Sequence, residues 1–140
     1  MPDYDDGNIF AKILRGEIPC HEVWQDEAVL AFMDIMPITP GHVLVLPKAP
    51  SRNLLDADPA TLEALITRVQ RIARAAKSAM ESDGVTVQQF NEAAAGQSVF
   101  HLHFHILPRW EGVALKPPEG PVEQPEVLAE QAARIRRAIA

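Results

Sequence analysis

The chain has 140 residues, one cysteine and a formal net charge of −6. This length predicts a single domain, and the acidic balance argues against binding to DNA or RNA through a basic patch. Cys20 alone forms no intramolecular disulfide, which fits a reducing cytoplasm. The N-terminal residues are acidic and no apolar run approaches about 18 residues, so we expect neither a signal peptide nor a membrane span.

The first third of the chain predicts a short helix followed by strands. Residues 8–15 carry apolar side chains at helical spacing, and Gly16 follows as a stop signal. Residues 22–25 and 29–34 are short strand candidates. A turn signal at residues 37–41 precedes an apolar run at 42–46, which predicts a buried strand.

A long helix is predicted in the middle of the chain. Asp58 is a favourable N-cap residue, Pro59 suits the first helical position, and Gly84 ends the pattern. Apolar residues recur with the spacing of a single buried face. These residues are Leu62, Leu65, Ile66, Val69, Ile72, Ala73, Ala76 and Met80.

The last third predicts a strand at residues 85–90, a loop at 91–97, a second strand at 98–107 and a proline-rich tail. A final helix is expected from about Glu126. We therefore divide the chain into a domain at residues 1–115 and a tail with its helix at residues 116–140. Whether that helix docks on its own chain or on a partner is left open.

Three histidines occupy alternate positions in the second of these strands. His101, His103 and His105 are separated by Leu102 and Phe104, which is the period of a strand. On one strand face the histidines would stand ~6.6 Å apart, with the apolar residues facing a core. The cluster could bind a metal through three nitrogens, or one imidazole could attack an electrophile while the others position it.

The residues before the histidines favour an attack on phosphorus. Gly96 allows backbone N–H groups to approach an anion, and the Ser98 hydroxyl can donate to a phosphate oxygen. Neither G-x-G-x-x-G nor the P-loop pattern is present, so the phosphate site would hold one phosphoryl group. A metal site would require three ligands to converge from one straight strand, without a carboxylate or cysteine at motif spacing.

The segment His101-Leu102-His103-Phe104-His105-Ile106-Leu107 resembles the signature of the histidine-triad (HIT) family. Other segments resemble landmarks of that family, in the family's order, over about residues 8–110. They are residues 8–13 with 16–19, residues 32–35, residues 40–48 and residues 96–99. The resemblance implies an α+β fold with a five-stranded antiparallel sheet, a short N-terminal helix and one long central helix. It also implies a homodimer.

The resemblance further implies a role for each matching residue. His103 would be the nucleophile that forms a transient nucleotidyl-imidazole, with His101 and His42 as a supporting hydrogen-bond chain behind it. Phosphate oxygens would be held by His105, Gly96, Gln97 and Ser98. Asn91 would bridge the preceding loop to the active strand, and Asp34 would accept hydrogen bonds from the ribose hydroxyls. The base would be held between Ile9, Phe10, Ile13, Phe32 and Ile35.

We therefore expect a cytoplasmic hydrolase or nucleotidyl transferase acting at the α-phosphate of purine nucleoside phosphoramidates or dinucleoside polyphosphates. Some bacterial relatives bind zinc through two cysteines in the opening helix, where this chain has Asn8 and Ala11, so we expect no structural zinc. No cofactor is required, although a diphosphate substrate could arrive with Mg²⁺. Two alternatives stay open, a non-catalytic purine-nucleotide-binding or scaffold protein and a metal-dependent hydrolase with histidine ligands.

Overall fold

The computed structural model describes all residues from Met1 to Ala140. Its elements are α1 (Ile9–Leu14), β1 (Glu22–Gln25), β2 (Val29–Met33), β3 (Val43–Pro47), α2 (Pro59–Ala79), β4 (Gly84–Gln88), β5 (Phe104–Arg109) and α3 (Pro125–Ala138). Two short 3₁₀ turns lie at Leu54–Asp56 and Ala93–Ala95. This set of helices and strands confirms the predicted α+β fold class. None of the helices combines the length and apolar character that crossing a membrane would need.

The five strands form one antiparallel sheet in the order β1-β2-β3-β5-β4. The chain returns from β4 to place β5 between β3 and β4, so His105 on β5 pairs with Leu44 on one side and Gln88 on the other. Since paired residues share a face of an antiparallel sheet, His105 lies on the same face as Leu44. This crossover brings the histidine segment beside His42, which immediately precedes β3.

Both faces of the central strands are buried. On one face, Val43 and Val45 join a large core with Leu65, Val69 and Ile72 of α2. A smaller core on the opposite face contains Phe10, Leu30, Phe32, Leu44 and Leu46. Burial on both faces explains why β2 and β3 read as continuous apolar runs. The smaller core, which carries α1, is the side on which the histidines gather.

Helix α3 packs on its own chain. Leu128, Ala132 and Ile135 belong to the same core as α2, which answers the question that the sequence left open. Arg136 also donates from Nε to the carbonyl oxygen of Val23, over 3.1 Å. The division at residue 115 stays a prediction, although α3 and the sheet share one core.

Two sequence predictions about these elements are wrong in detail. Strand β5 begins at Phe104, so His101 and His103 lie in the irregular segment before it. The reason is that Leu102 N–H donates to Ser51 O at 2.9 Å, a contact outside the strand ladder. Ile66 was assigned to the buried face of α2 but is 54% exposed, because the sheet covers a narrower face than the apolar pattern suggests.

Candidate active site

Two adjoining cavities meet at the histidine segment. One encloses about 210 Å³ and is mainly apolar, and the other, called the polar cavity below, encloses about 500 Å³ and has more polar than apolar residues in its lining. Both are lined by Asp34, Met36, Ser98, His103 and His105. The arrangement suits a ligand with an apolar part and an anionic part joined at the histidines.

The apolar cavity contains every residue that the sequence assigned to a base-binding role. These residues are Ile9, Phe10, Ile13, Phe32 and Ile35. Phe10 and Phe32 are buried and meet edge to face, with ring centroids 5.4 Å apart. Ile9 and Ile35 are exposed and lie at the rim. The structure therefore brings this set together around a slot beside His103, whose ring lies 4.9 Å from that of Phe10.

A backbone contact fixes which nitrogen of His103 carries hydrogen. Nδ1 of His103 lies 2.6 Å from the carbonyl oxygen of His101. A carbonyl oxygen only accepts hydrogen bonds, so Nδ1 is the protonated nitrogen and Nε2 of the neutral ring keeps its lone pair. The Nε2 lone pair of His103 is therefore the one that could accept a proton or attack an electrophile.

A second relay fixes the tautomers of His42 and His105. Ile38 N–H donates to Nδ1 of His42 at 3.3 Å, so Nε2 of His42 carries the hydrogen. That Nε2 lies 3.0 Å from Nδ1 of His105 and donates to it. His105 must then carry its own hydrogen on Nε2. The two histidines that line both cavities consequently offer opposite groups, a lone pair on His103 and an N–H donor on His105.

The expected hydrogen-bond chain through His101 and His42 is not what the structure contains. His42 is bonded to His105, whereas His101 Nε2 donates to Pro47 O at 2.8 Å. Nδ1 of His101 must then accept, and the Tyr4 hydroxyl donates to it at 2.6 Å. His101 supports His103 through its backbone carbonyl rather than through its ring.

Burial keeps the histidines neutral. The pKa of His42 is lowered to about 3, mainly by burial and to a smaller extent by the nearby His105 and His103. Burial likewise lowers the pKa of His103 to about 4 and that of His105 to about 4. The pKa of His101 is lowered by burial as well. At neutral pH the cluster therefore contains free imidazole bases and no fixed positive charge.

Asp34 lies beside this relay. Its Oδ1 accepts from Met36 N–H at 2.9 Å, and its Oδ2 lies 3.5 Å from Nε2 of His42. Burial raises the pKa of the Asp34 carboxyl above its ordinary value of 3.8. Because Asp34 lines both cavities, it lies at their junction.

Asp34, His42 and His105 place one potential ligand atom each within 4.8 Å of one another. A metal would need the lone pairs of His42 Nε2 and His105 Nδ1. Ile38 N–H occupies the opposite nitrogen of His42, so its Nε2 is a hydrogen donor toward this point. As hydrogen-bonded here, Nε2 of His42 offers no lone pair to a metal, and the three groups suit a hydrogen-bond relay.

The loop residues predicted to hold phosphate fall into two groups. Gly96 and Ser98 are exposed and line the polar cavity. Gln97 is buried, and its amide donates to Arg52 O and Val99 O while its oxygen accepts from Glu92 N–H. These bonds leave the Gln97 side chain no donor for a phosphate, so that assignment is corrected to a loop anchor.

Asn91 also acts within the loop. Its side-chain oxygen accepts from Leu54 N–H at 3.0 Å and its amide donates to Gln89 at 3.0 Å. It bridges the loop to the 3₁₀ turn at Leu54–Asp56, rather than to β5 as expected. Asn91 does not line either cavity.

The sequence did not predict the network of hydrogen bonds under this loop, which joins Arg52, Asn53, Glu92 and Gln97. Glu92 has φ 75° and ψ 161°, a conformation that side chains disfavour. It is held by two bonds from Arg52, at 2.8 and 3.0 Å, and one from Asn53 at 2.7 Å. Asn53 is fully buried and also donates to Gln97. Because Arg52 and Asn53 lie about 40 positions before Glu92, no local motif signals these contacts.

The proline-rich tail forms part of the polar cavity. The tail residues that line it are Lys116, Pro118 and Glu119, and Leu115 lines it just before them. Lys116 N–H donates to Ile38 O and Glu123 N–H donates to Ile35 O, both at 2.8 Å. The tail is therefore tied at two points to the segment between Asp34 and His42.

Comparisons with known proteins find a matching family model and similar solved structures. The HIT domain family model matches residues 15–112. A crystal structure of a Hit-like protein from Bartonella henselae, described as involved in cell-cycle regulation, has a TM-score of 0.94 and 55% identity over 98% of this chain and 99% of that chain. A Zn-bound histidine triad family protein from Mycobacterium smegmatis has a TM-score of 0.82 and 35% identity over 94% of this chain and 91% of that chain. The adenylylsulfatase HINT3 of Arabidopsis thaliana is 39% identical over 74% of this chain and 52% of the plant protein.

Proposed function

This chain belongs to the HIT family, and on that basis we propose that it is a hydrolase or nucleotidyl transferase acting at the α-phosphate of purine nucleotides. The leaving group on that phosphate is an amine, a phosphate or another oxyacid. The reaction passes through a covalent nucleotidyl group on His103.

The opposite tautomers of His103 and His105 carry this proposal. Nδ1 of His103 is held by the His101 carbonyl, which leaves the Nε2 lone pair for attack on phosphorus. His42 holds Nδ1 of His105, which leaves an Nε2–H to donate to a phosphate oxygen. A nucleophile beside an oxyanion donor is the pair that transfer at phosphorus needs.

The proposed reaction has two displacements. Nε2 of His103 forms a P–N bond as the bond from phosphorus to the leaving group breaks. A phosphate or other oxyacid departs with the electron pair as its anion, whereas an amine takes up a proton from water as it departs. The phosphorylated ring becomes cationic, and its Nδ1–H is stabilised by the His101 carbonyl. Water then forms a P–O bond, the P–N electron pair returns to Nε2, and a proton passes to solvent. The product is a nucleoside 5′-monophosphate; another nucleophile in place of water gives transfer.

The remaining roles follow the two cavities. We assign the base to the apolar cavity lined by Phe10 and Phe32, and the ribose hydroxyls to Asp34. Gly96 and Ser98 complete the phosphate site with His105. The volume of this cavity, about 210 Å³, is compatible with a purine ring.

We propose that no bound metal takes part, since Nε2 of His42, as hydrogen-bonded here, offers no lone pair to one. Mg²⁺ would enter only with a diphosphate substrate. We also propose a homodimer, and sedimentation velocity at micromolar concentration tests it directly: a monomer would contradict this assignment.

The central test is trapping of the intermediate. The protein is mixed with adenosine 5′-phosphoramidate or a diadenosine polyphosphate, quenched in alkali, in which phosphoramidate bonds to histidine survive, and weighed by intact mass spectrometry. A nucleotidyl adduct on His103 is expected, and His103→Ala should lose both the adduct and turnover while still binding AMP. His21→Ala is the control, because His21 lies outside both cavities. Turnover retained by His103→Ala would contradict the nucleophile assignment, and AMP binding without any adduct or turnover in the wild type would favour a non-catalytic binder.

A further inference from the structure

We propose that the tail forms the leaving-group subsite and that Lys116 there binds an anionic leaving group, a sulfate or phosphate joined to the α-phosphorus through oxygen. This inference rests on the proposed function and specifies its substrate class. It concerns a segment beyond the residues that the HIT domain model matches, which end at residue 112.

The position of Lys116 is fixed by the backbone. Its N–H donates to Ile38 O at 2.8 Å, and the N–H of Ile38 in turn donates to His42. The same peptide segment thus sets the tautomer of the histidine relay and holds the tail against it. Lys116 consequently lines the cavity that His42, His103 and His105 line from the sheet.

The size of this cavity leaves room for more than a phosphoryl group. It encloses about 500 Å³, while the apolar slot for the base is a separate space of about 210 Å³. Once a nucleotide places its α-phosphate between His103 and His105, the remainder of the polar cavity is open toward the tail. That remainder is where a leaving group in line with His103 would lie.

Lys116 supplies the fixed positive charge of this cavity. No other lysine or arginine lines it, and Lys116 takes part in none of the ion pairs of the chain. Two carboxyl groups, those of Asp34 and Glu119, also line the cavity, but neither forms an ion pair with Lys116. An unpaired ammonium beside neutral imidazoles is the group that would attract an oxyanion.

Whether the leaving group needs a proton also favours an anionic leaving group. A sulfate or phosphate leaves with its electron pair and needs no proton, only a nearby positive charge. An amine must take up a proton as it leaves. His42, His103 and His105 are all kept neutral by burial, so none of them is a strong acid at neutral pH.

The experiment compares kcat/KM on three adenosine nucleotides: the 5′-phosphoramidate, the 5′-phosphosulfate and diadenosine tetraphosphate. Lys116→Ala should lower kcat/KM by about tenfold on the two substrates with anionic leaving groups. The change on the phosphoramidate should stay within about twofold, because its leaving group carries no negative charge. Lys116→Arg should retain most of the rate, and added salt should reduce the difference.

Two controls separate position from charge. Lys77→Ala removes an exposed lysine from the last turn of α2, on the opposite face of the sheet, and should change none of the three rates. Glu119→Gln should leave the anionic substrates unchanged or faster. If Lys116→Ala lowers kcat/KM only on the phosphosulfate or only on the diadenosine tetraphosphate, the subsite is still supported and the substrate affected identifies which oxyanion it binds.

Equal losses on all three substrates would overturn the proposal, as would no loss on either anionic substrate. A decrease caused by Glu119→Gln on the anionic substrates would overturn it too. If the wild-type protein hydrolyses none of the three nucleotides, the proposed function itself fails, which is a different outcome from a selective or unselective effect of Lys116.

Discussion

The Tyr4 hydroxyl lies 2.6 Å from Nδ1 of His101, across 97 positions of sequence. His101 is fully buried, its Nε2 is bonded to Pro47 O, and its carbonyl oxygen accepts from His103. The N-terminal segment thereby satisfies the last polar atom of a ring whose backbone orients the proposed nucleophile. The first histidine of the triad is consequently a structural support, held from both ends.

Replacing Tyr4 by Phe should destabilise the fold. The change removes a donor from a buried imidazole nitrogen, which costs about 1–3 kcal/mol of unfolding free energy. Urea denaturation followed by circular dichroism measures it. In a His101→Leu background the same change should cost much less, since no acceptor remains. Equal losses in the two backgrounds would mean that the hydrogen bond is not the cause.

Gln97 and Ser98 should separate into a stability residue and a binding residue. Gln97→Ala removes a buried side chain that joins Arg52, Glu92 and Val99, so the unfolding free energy should fall by about 1–3 kcal/mol without any ligand. Ser98→Ala alters an exposed side chain in the cavity and should leave the urea midpoint unchanged.

The binding measurement is calorimetric titration with AMP. Ser98→Ala should weaken AMP binding by a few fold, because one hydroxyl donor to phosphate is lost. The reverse pattern, in which Gln97→Ala folds normally and Ser98→Ala binds AMP unchanged, would restore Gln97 as a phosphate ligand and contradict the assignment.

Much of this site was predictable from local pattern. Alternation of His101, His103 and His105 with apolar residues places Leu102 and Ile106 in the α2-side core, where both are fully buried. The burial of Leu102 and Ile106 depends on which face of a strand a side chain occupies, and periodicity records that. That Phe10 and Phe32 line one cavity was implied instead by the resemblance to the histidine-triad family.

The features that escaped depend on contacts between distant segments. Strand β5 is shorter than its pattern because Leu102 bonds to Ser51, and Gln97 is withdrawn from the cavity because it bonds to Arg52. Neither partner belongs to the same local motif. The tail shares this property, since the role of Lys116 follows from a bond to Ile38 that composition does not signal.

Gly41 should resist substitution more strongly than Gly84. Gly41 has φ 81°, and a Cβ there would lie 2.7 Å from Cγ of Met80 and 3.2 Å from Cγ of Pro108. Gly41→Ala therefore combines backbone strain with a clash and should cost about 1–3 kcal/mol of unfolding free energy. Gly84→Ala, where no atom lies within 4 Å of the added Cβ, is the matched control.

A Met80→Ala background separates the clash at Gly41 from the backbone strain. It opens space beside Gly41, so Gly41→Ala should cost less in that background, while the strain of the positive φ remains. Because Gly41 immediately precedes His42, the same substitution should also lower turnover by displacing the relay. Chemical denaturation and the hydrolysis assay measure the two effects, and a fully stable, fully active Gly41→Ala protein would refute both.

The neutral histidine cluster should make the fold sensitive to acid. The pKa values of His42, His103 and His105 are lowered from 6.5 to about 3, 4 and 4 in the folded protein. Between those values and about 6.5 the unfolded chain binds more protons than the folded one, so stability falls as pH decreases. Each histidine contributes a slope of up to about 1.4 kcal/mol per pH unit. The raised pKa of Asp34 acts in the opposite direction, but it is one group against three.

Urea unfolding at pH 7.5, 6.0 and 5.0 tests this relation. The unfolding free energy should be nearly constant above pH 7 and should decline steadily below about pH 6.5, the ordinary histidine pKa. Replacing His103 by Asn removes one titrating group and should make the decline shallower, whereas His21→Gln, outside the cluster, should leave it unchanged. A stability that is flat from pH 7.5 to 5.0 would mean that these histidines are protonated alike in the folded and unfolded chains. Burial would then not be what keeps His103 neutral, and the proposal that its Nε2 lone pair attacks phosphorus would lose that support.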